Sequence, residues 1–140
     1  MESINKKYDW SDKTILIAED VESNYLLLEV LLRKTKAKII RAEDGEEVVD
    51  IFKASIEKSD NKKPFDLILM DIKMPKMNGY IATRIIKNIC KEKNTDIPII
   101  AQTAFAMSNE RDLSIKAGCD DYIPKPIRSS LLFEIIDKWI

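Results

Sequence analysis

The 140-residue sequence contains no histidine, and this absence excludes several kinds of site at once. A serine or cysteine triad needs an imidazole base, and a phosphohistidine donor needs the ring itself. The two cysteines, Cys90 and Cys119, form no CxxC pair. With no histidine to complete a zinc site, we interpret both cysteines as reduced thiols.

Long apolar runs and a strong net charge are also missing. No stretch approaches the roughly 20 apolar residues needed to cross a bilayer, and residues 1–10 lack the apolar segment of a secretory signal. The 23 Lys and Arg nearly balance the 24 Asp and Glu, so no electrostatic field recruits nucleic acid or an anionic membrane. We therefore expect a cytoplasmic chain without a membrane span or a direct nucleic-acid contact.

The composition is that of a globular protein, with 45% hydrophobic and 34% charged residues. The length fits one domain. The clearest polar loop, residues 59–64, is too short to separate two domains. We predict a tail or linker over residues 1–12 and a single domain over residues 13–140.

Short apolar segments alternate with longer segments of helical period, which is typical of βαβ units around a parallel sheet. The five predicted strands are residues 14–18, 38–42, 65–70, 98–102 and 121–123. Helices are predicted to start near Ser23, as a cap, and near Asp44, and to span residues 79–90, 108–117 and 128–140. The inward-facing residues predicted for the first and third helices are Leu26, Leu27, Val30 and Leu31, and Ile81, Ile85, Ile86 and Ile89.

Polar side chains follow the ends of the predicted strands. Glu19 and Asp20 follow the first, Asp71 the third, Thr103 the fourth, and Lys125 comes shortly after the fifth. Ligands of open parallel sheets collect at the carboxyl ends of the strands, and the handedness of βα connections brings these ends together. We expect three carboxylates, a hydroxyl and an ammonium at one edge of the sheet.

This set of side chains has a chemical logic. Clustered carboxylates repel one another unless a hard cation binds them, and oxygen ligands favour Mg²⁺, or Mn²⁺ in its place. One carboxylate can then attack a phosphoryl group while the cation and a lysine neutralise the phosphoryl oxygens. We predict that Asp71 is the nucleophile, with Thr103 and Lys125 contacting the phosphoryl group.

The segments ILIAED, LILMDIKMPKMNGY, IIAQTAFA and AGCDDYIPKPI, in this order and spacing, resemble the receiver domain of two-component response regulators. The resemblance covers residues 14–140. It implies a doubly wound, flavodoxin-like (βα)5 fold with a five-stranded parallel sheet of order 2-1-3-4-5. The character of residues 8–29 and 120–127 is most similar to receivers of hybrid sensor histidine kinases.

The resemblance also implies roles for individual residues. Asp71 becomes the phosphoacceptor, and the metal ligands are Glu19, Asp20, Asp71 and the backbone carbonyl of Lys73. Thr103 and Tyr122 become the switch residues, Lys125 the lysine that contacts the phosphoryl group, and the Lys125–Pro126 bond is expected to be cis. Glu19 stands where aspartate is more usual, and we hypothesise that the Lys73 side chain tunes the lifetime of the acyl phosphate.

The function implied is a phosphoacceptor in a phosphorelay, and not an enzyme beyond its own phosphorylation and dephosphorylation. A histidine kinase or histidine phosphotransfer domain would be the donor, and a downstream protein would bind a face formed by the fourth helix, fifth strand and fifth helix. A phosphorylation-dependent dimer is a further option. The alternatives are a stand-alone response regulator, an aspartyl-phosphate phosphatase of the haloacid dehalogenase type and a flavodoxin-like cofactor binder.

Overall fold

The computed structural model describes residues 8–59, 63–104 and 108–140, so residues 1–7 of the predicted tail and 60–62 of the predicted loop lie outside the described residues. The strands are β1 (Thr14–Ala18), β2 (Lys38–Ala42), β3 (Leu67–Asp71), β4 (Ile99–Thr103) and β5 (Asp121–Pro124). The helices are α1 (Glu22–Arg33), α2 (Gly45–Lys58), α3 (Gly79–Glu92), α4 (Ser108–Ala117) and α5 (Ser129–Trp139). The strands form one parallel sheet of order β2-β1-β3-β4-β5, which confirms the predicted fold.

Three strands, β3, β4 and β5, end one residue later than predicted. The predicted strand over residues 65–70 begins instead at Leu67, because the Asp66 side chain accepts a hydrogen bond from the backbone N–H of Thr14. Pro98 has no N–H to donate, and β4 begins after it, at Ile99. Asp71 and Thr103 are therefore the last residues of β3 and β4 instead of loop residues, which ties both to the hydrogen-bonded sheet.

The sheet is covered on both faces, which explains why β1 and β3 are apolar along almost their whole length. The core on one face joins β1 and β3 to α2 and α3, with Val48, Phe52 and Ile86 fully buried. The core on the other face joins the same strands to α1 and α5, through Leu28 and Ile136. None of the helices in the described part of the chain is long and apolar enough to cross a bilayer.

Helix α1 presents a different side to the core from the one predicted. It buries Leu28 and Leu32, whereas Leu26, Leu27 and Val30 are 46–48% exposed. The helix carries six apolar residues within seven positions, so two overlapping stripes fit its sequence equally well. The core takes the stripe that also partly buries Tyr25. Of the four predicted residues only Leu31 packs against this core, so the prediction was wrong for the other three.

Two smaller predictions about the helices also fail. Helix α1 begins at Glu22 after Val21, without a side-chain cap, so Ser23 lies inside the first turn and is not the cap. On α3, Ile85, Ile86 and Ile89 pack in the core as predicted, whereas Ile81 is 44% exposed. Ala82 is buried in its place.

The N-terminal segment packs against the domain from Tyr8 onwards. Trp10, placed in the predicted tail, is only 5% exposed, and its backbone N–H donates to the backbone carbonyl of Thr35 at 2.8 Å. The rings of Tyr8 and Trp10 lie against Phe133 of α5, with centroids 5.3 and 6.3 Å from it. The boundary at residue 13 stays a prediction, with ordered contacts on its N-terminal side.

Lys87 of α3 fixes the start of β4 beside the turn that precedes β5. Its ammonium donates to Asp96, Asp120 and the carbonyl of Ile97 at 2.8–3.0 Å. The same Asp120 oxygen accepts the N–H of Ile99. Burial lowers the pKa of Lys87, but Asp120 and Asp96 outweigh burial and raise it overall. This network holds together the two strands that end at the polar edge of the sheet.

Candidate functional site

Three carboxylates meet at the carboxyl edge of the sheet. Glu19, Asp20 and Asp71 each place one carboxylate oxygen within 4.8 Å of the others. Strands β1 and β3 are neighbours and pair Ala18 with Met70, so the residues that follow lie side by side. Glu19 is fully buried and Asp71 is 4% exposed, while Asp20 is the least buried of the three. The sequence predicted this cluster correctly.

Lys125 reaches into this cluster from the end of β5. Its ammonium lies 3.1 Å from Asp71 Oδ1 and 3.4 Å from Glu19 Oε1. The backbone N–H of Lys125 donates to the carbonyl of Thr103 at 2.7 Å, which fixes the lysine beside the end of β4. The Lys125–Pro126 peptide bond is cis, as expected. The Lys125 ammonium thus contacts two of the three acidic side chains.

The other predicted site residues lie around this centre. Thr103 is buried at the end of β4, directly beside β3. Tyr122 is half-buried on β5, in register with Ala101. Lys73 is exposed, two residues beyond Asp71. Thr103 and Lys73 thus lie at or just beyond the carboxyl ends of the strands next to the cluster, and the roles of all three residues stay predictions.

The electrostatics of the cluster favour an added cation. Burial, and after it the charge of Glu19, raise the pKa of Asp71 to about 7, against the lowering effect of Lys125. One ammonium offsets only part of the charge of three carboxylates. The donors are all carboxylate oxygens, which suit a hard divalent cation such as Mg²⁺. These residues therefore fit a magnesium site.

The raised pKa of Asp71 predicts that the stability of the metal-free protein depends on pH. An ordinary carboxyl in the unfolded chain titrates near 3.9, so between roughly pH 4 and 7 the folded chain holds the extra proton. Stability should fall as the pH rises through this window. In chelator, the free energy of unfolding of the wild type should drop by ~1–3 kcal/mol more than that of Asp71→Asn between pH 5 and 8. Equal pH slopes in urea titrations would contradict the assignment.

Sequence reasoning missed two residues near the centre. Arg41 of β2 donates from Nε and Nη2 to the backbone carbonyl of Glu19, at 3.2 and 3.1 Å, and also pairs with Glu22. An arginine in an edge strand carries no signal of such a contact. Gln102 is 1% exposed within β4. Its signal was present, because it is an amide inside the otherwise apolar segment before Thr103.

Comparison with known proteins agrees with this geometry. The family model described as the response regulator receiver domain matches residues 15–137, which is most of the chain. The chain belongs to this family. Membership confirms the receiver prediction and favours it over the phosphatase and the flavodoxin-like cofactor binder.

Two relatives of this receiver differ greatly in length. Hybrid signal transduction histidine kinase I of Dictyostelium discoideum is 40% identical over 126 residues, which cover 90% of this chain and 7% of the kinase. The polar-differentiation response regulator DivK of Brucella anthropi is 34% identical over 128 residues, covering 91% of this chain and 96% of DivK. The chain therefore spans a small fraction of the first relative and nearly all of the second.

Two solved receivers share the fold closely. The receiver domain of sensor histidine kinase PA1611 from Pseudomonas aeruginosa, with a magnesium ion coordinated in its active-site cleft, has a TM-score of 0.76 and 32% identity, covering 91% of this chain and 96% of that one. The Ssk1 receiver of Saccharomyces cerevisiae, co-crystallised with the histidine phosphotransfer protein Ypd1, has a TM-score of 0.81 and 28% identity, covering 91% and 88%.

Proposed function

We propose that Asp71 accepts a phosphoryl group from a phosphohistidine of a partner protein. The observation that carries this proposal is the buried Asp71 carboxylate, held 3.1 Å from the Lys125 ammonium inside a cluster that fits a divalent cation. In the transfer, the P–N bond of the phosphohistidine breaks and an O–P bond to Asp71 forms. The electron pair of the broken bond stays on the imidazole nitrogen, which takes up a proton from solvent.

The neighbouring side chains divide the remaining work. Glu19, Asp20, Asp71 and the backbone carbonyl of Lys73 would hold Mg²⁺, with Mn²⁺ as a substitute, and the cation would neutralise charge on the phosphoryl oxygens. Lys125 pairs with a phosphoryl oxygen, and the Thr103 hydroxyl donates to another. The magnesium ion in the cleft of the PA1611 receiver supports this use of the acidic cluster. The chain's own chemistry is then limited to accepting and hydrolysing the phosphoryl group.

We propose a hybrid sensor histidine kinase as the parent of this receiver, with the exchange taking place in the cytoplasm, where ATP charges the donor histidine. The Dictyostelium kinase supports this origin by its 40% identity. DivK supports the alternative of a stand-alone regulator, because the match covers 96% of its length. The two origins predict different native masses for the protein that carries this sequence, which an immunoblot of the source cells measures.

The donor needs a docking surface beside Asp71, and we place it on α1. Leu26, Leu27 and Val30, which we call the α1 apolar surface, lie on one side of the helix and are each nearly half exposed. Leu26 lies about 6 Å along the helix axis from Glu22, which follows the acidic pair closely in the chain. A histidine-bearing partner that covers this surface reaches the carboxyl edge of the sheet. The Ssk1 receiver with its phosphotransfer partner supports this class of donor.

A downstream protein would bind the face formed by α4, β5 and α5. Ile115 of α4 is 60% exposed. It lines a shallow cavity of about 110 Å³ together with Cys119 and Tyr122, among others. The phosphoryl group would draw in the Thr103 hydroxyl and let Tyr122 turn inward, altering this face. A second phosphorylated copy of the chain is the other occupant that this face would accept.

Phosphorylation by a small acyl phosphate tests the proposed acceptor. In Mg²⁺, the wild type should gain one phosphoryl group in its intact mass, and Asp71→Asn should gain none, because the amide is not a nucleophile. Asp66→Asn is the matched control, since Asp66 lies near the opposite end of β3 and an amide oxygen can still accept from Thr14. A phosphoryl gain by Asp71→Asn equal to that of the wild type contradicts the proposal.

The Lys73 side chain is exposed, and we propose that it sets the lifetime of the acyl phosphate. A cation two residues beyond Asp71 either attracts or blocks the attacking water, so Lys73→Ala should change the dephosphorylation rate by about threefold or more. The rate is measured from the loss of phosphorylated mass after the donor is removed. Lys76→Ala, in the same loop, should leave the rate unaltered. If both variants decay like the wild type, Lys73 has no such role.

A further inference from the structure

Gln102 is a buried amide without a hydrogen-bond partner. It is 1% exposed, and neither Oε1 nor Nε2 of its side chain has a partner among the residues that the structure describes. Buried polar groups are almost always paired, and leaving one unpaired costs folding free energy. An apolar residue would fill this place in β4 without that cost. We therefore looked for a state of the protein in which the Gln102 amide has a hydrogen-bond partner.

The register of the sheet places Gln102 next to the proposed acceptor. Gln102 is paired with Asp71 on one side and with Ile123 on the other. Ile100 and Leu69, two residues earlier in their strands, belong to the core between the sheet and the helices α1 and α5. Because side chains alternate along a strand, Gln102 and Asp71 lie on that same face, on strands about 4.8 Å apart.

Glu19 and Lys125 lie on this face as well, each two residues beyond a member of the same core, Ile17 or Ile123. In the unmodified protein the ammonium of Lys125 contacts Asp71 Oδ1. A phosphoryl group on Asp71 presents charged oxygens that attract this ammonium more strongly than the uncharged carbonyl oxygen of the acyl phosphate does. The carboxyl oxygen of Asp71 that loses the ammonium has two lone pairs, so beside the proposed cation it can accept a hydrogen bond from a donor on the same side of the sheet.

We propose that Gln102 is a positioning residue for the phosphorylated state, donating from Nε2 to the free carboxyl oxygen of the Asp71 acyl phosphate. The inference rests on the proposed function of Asp71. The amide is unpaired before phosphorylation and paired after it, so it favours the modified state over the unmodified one. Gln102 thus contributes to the switch without contacting the phosphoryl group.

This role predicts that replacing Gln102 has opposite effects on the stability of the unmodified protein and on that of the phosphorylated protein. Removing the amide should stabilise the unmodified protein, because an unsatisfied buried group is lost. The same change should weaken the phosphorylated state, because one hydrogen bond to Asp71 is lost. Replacing a residue that only packs in the core changes the stability of both states in the same direction.

Urea unfolding with and without Mg²⁺ and beryllofluoride, which mimics the phosphoryl group, tests the proposal. Gln102→Leu should unfold at a higher urea concentration than the wild type in chelator. When Mg²⁺ and beryllofluoride replace the chelator, the urea midpoint of Gln102→Leu should rise by less than that of the wild type. The difference should correspond to a roughly fivefold lower association constant for Mg²⁺ and beryllofluoride. Gln102→Met, which keeps the unbranched length, should give the same two signs. Ile100→Val, a packing control on the same face, should lower the midpoint in both conditions and keep the wild-type gain.

Each outcome has one meaning. A lower midpoint of both Gln102 variants in chelator, or a gain equal to that of the wild type, overturns the inference and leaves the role of Asp71 intact. A wild type that gains nothing from Mg²⁺ and beryllofluoride, or an Asp71→Asn variant that gains as much as the wild type, overturns the proposed function and the inference together.

Discussion

Replacing two leucines of the α1 apolar surface by glutamate should slow phosphoryl transfer from a histidine donor at least about tenfold. Leu26 and Leu27 are each 46% exposed, so they contribute little to the core, and the loss should appear in kcat/KM for transfer. The two introduced carboxylates would be buried without partners in the apolar contact with the donor, which would weaken binding. Transfer is measured with a phosphorylated histidine phosphotransfer domain as donor.

The small acyl phosphate separates docking from chemistry in this experiment. It needs no protein surface, so Leu26→Glu/Leu27→Glu should be phosphorylated by it at the wild-type rate. Leu113→Glu, an equally exposed leucine of α4, is the matched control and should accept from both donors normally. If the double variant is slow with both donors, the acidic centre itself is disturbed. If it is slow with neither, the donor docks elsewhere.

Substituting Gly45 by alanine should destabilise the domain by about 2–4 kcal/mol. An ideal Cβ at Gly45 would lie 1.8 Å from the backbone oxygen of Met77, a contact that no small shift of a side chain relieves. The start of α2 or the loop between β3 and α3 would have to move. That loop contains Lys73 and follows Asp71, so cation binding should weaken as well.

The sign of this effect distinguishes sterics from helix propensity. Gly45 is the first residue of α2, where alanine would otherwise be favoured over glycine by up to about 1 kcal/mol. Glu46→Ala, at the next and exposed position, should change the free energy of unfolding by less than about 0.5 kcal/mol. A Gly45→Ala protein as stable as the wild type in urea would show that the backbones do not approach this closely.

The sequence was most informative where burial on both faces leaves few alternatives. Strands such as β1 and β3 are apolar throughout, which is the pattern of a central parallel strand, and the carboxyl ends of parallel strands meet by topology. The sequence alone therefore predicted that Glu19, Asp71 and Lys125 are neighbours. Membership of the receiver family adds the order of the strands but not the contacts of this particular chain.

The failures have physical causes as well. The rotation of α1 was ambiguous because nearly every position from Tyr25 to Leu32 is apolar, so periodicity does not choose between the two sides. Trp10 lies in a polar segment, and its burial depends on rings of α5 that are distant in sequence. The contact of Arg41 with the Glu19 carbonyl, like the unpaired amide of Gln102, depends on side-chain positions that strand register alone does not specify.

The identity of the phosphorylated residue is the most direct test of the central claim. The protein is phosphorylated in Mg²⁺ by a phosphohistidine donor and reduced with borohydride, which converts an aspartyl phosphate into homoserine. Trypsin then releases the peptide that ends at Lys73, which carries Asp66 and Asp71, and the peptide that ends at Arg33, which carries Asp20. Both peptides are sequenced by mass spectrometry. We expect homoserine at position 71 and unmodified aspartate at positions 20 and 66. Homoserine at another aspartate, with Asp71 unchanged, would contradict the assignment of Asp71 as the phosphoacceptor.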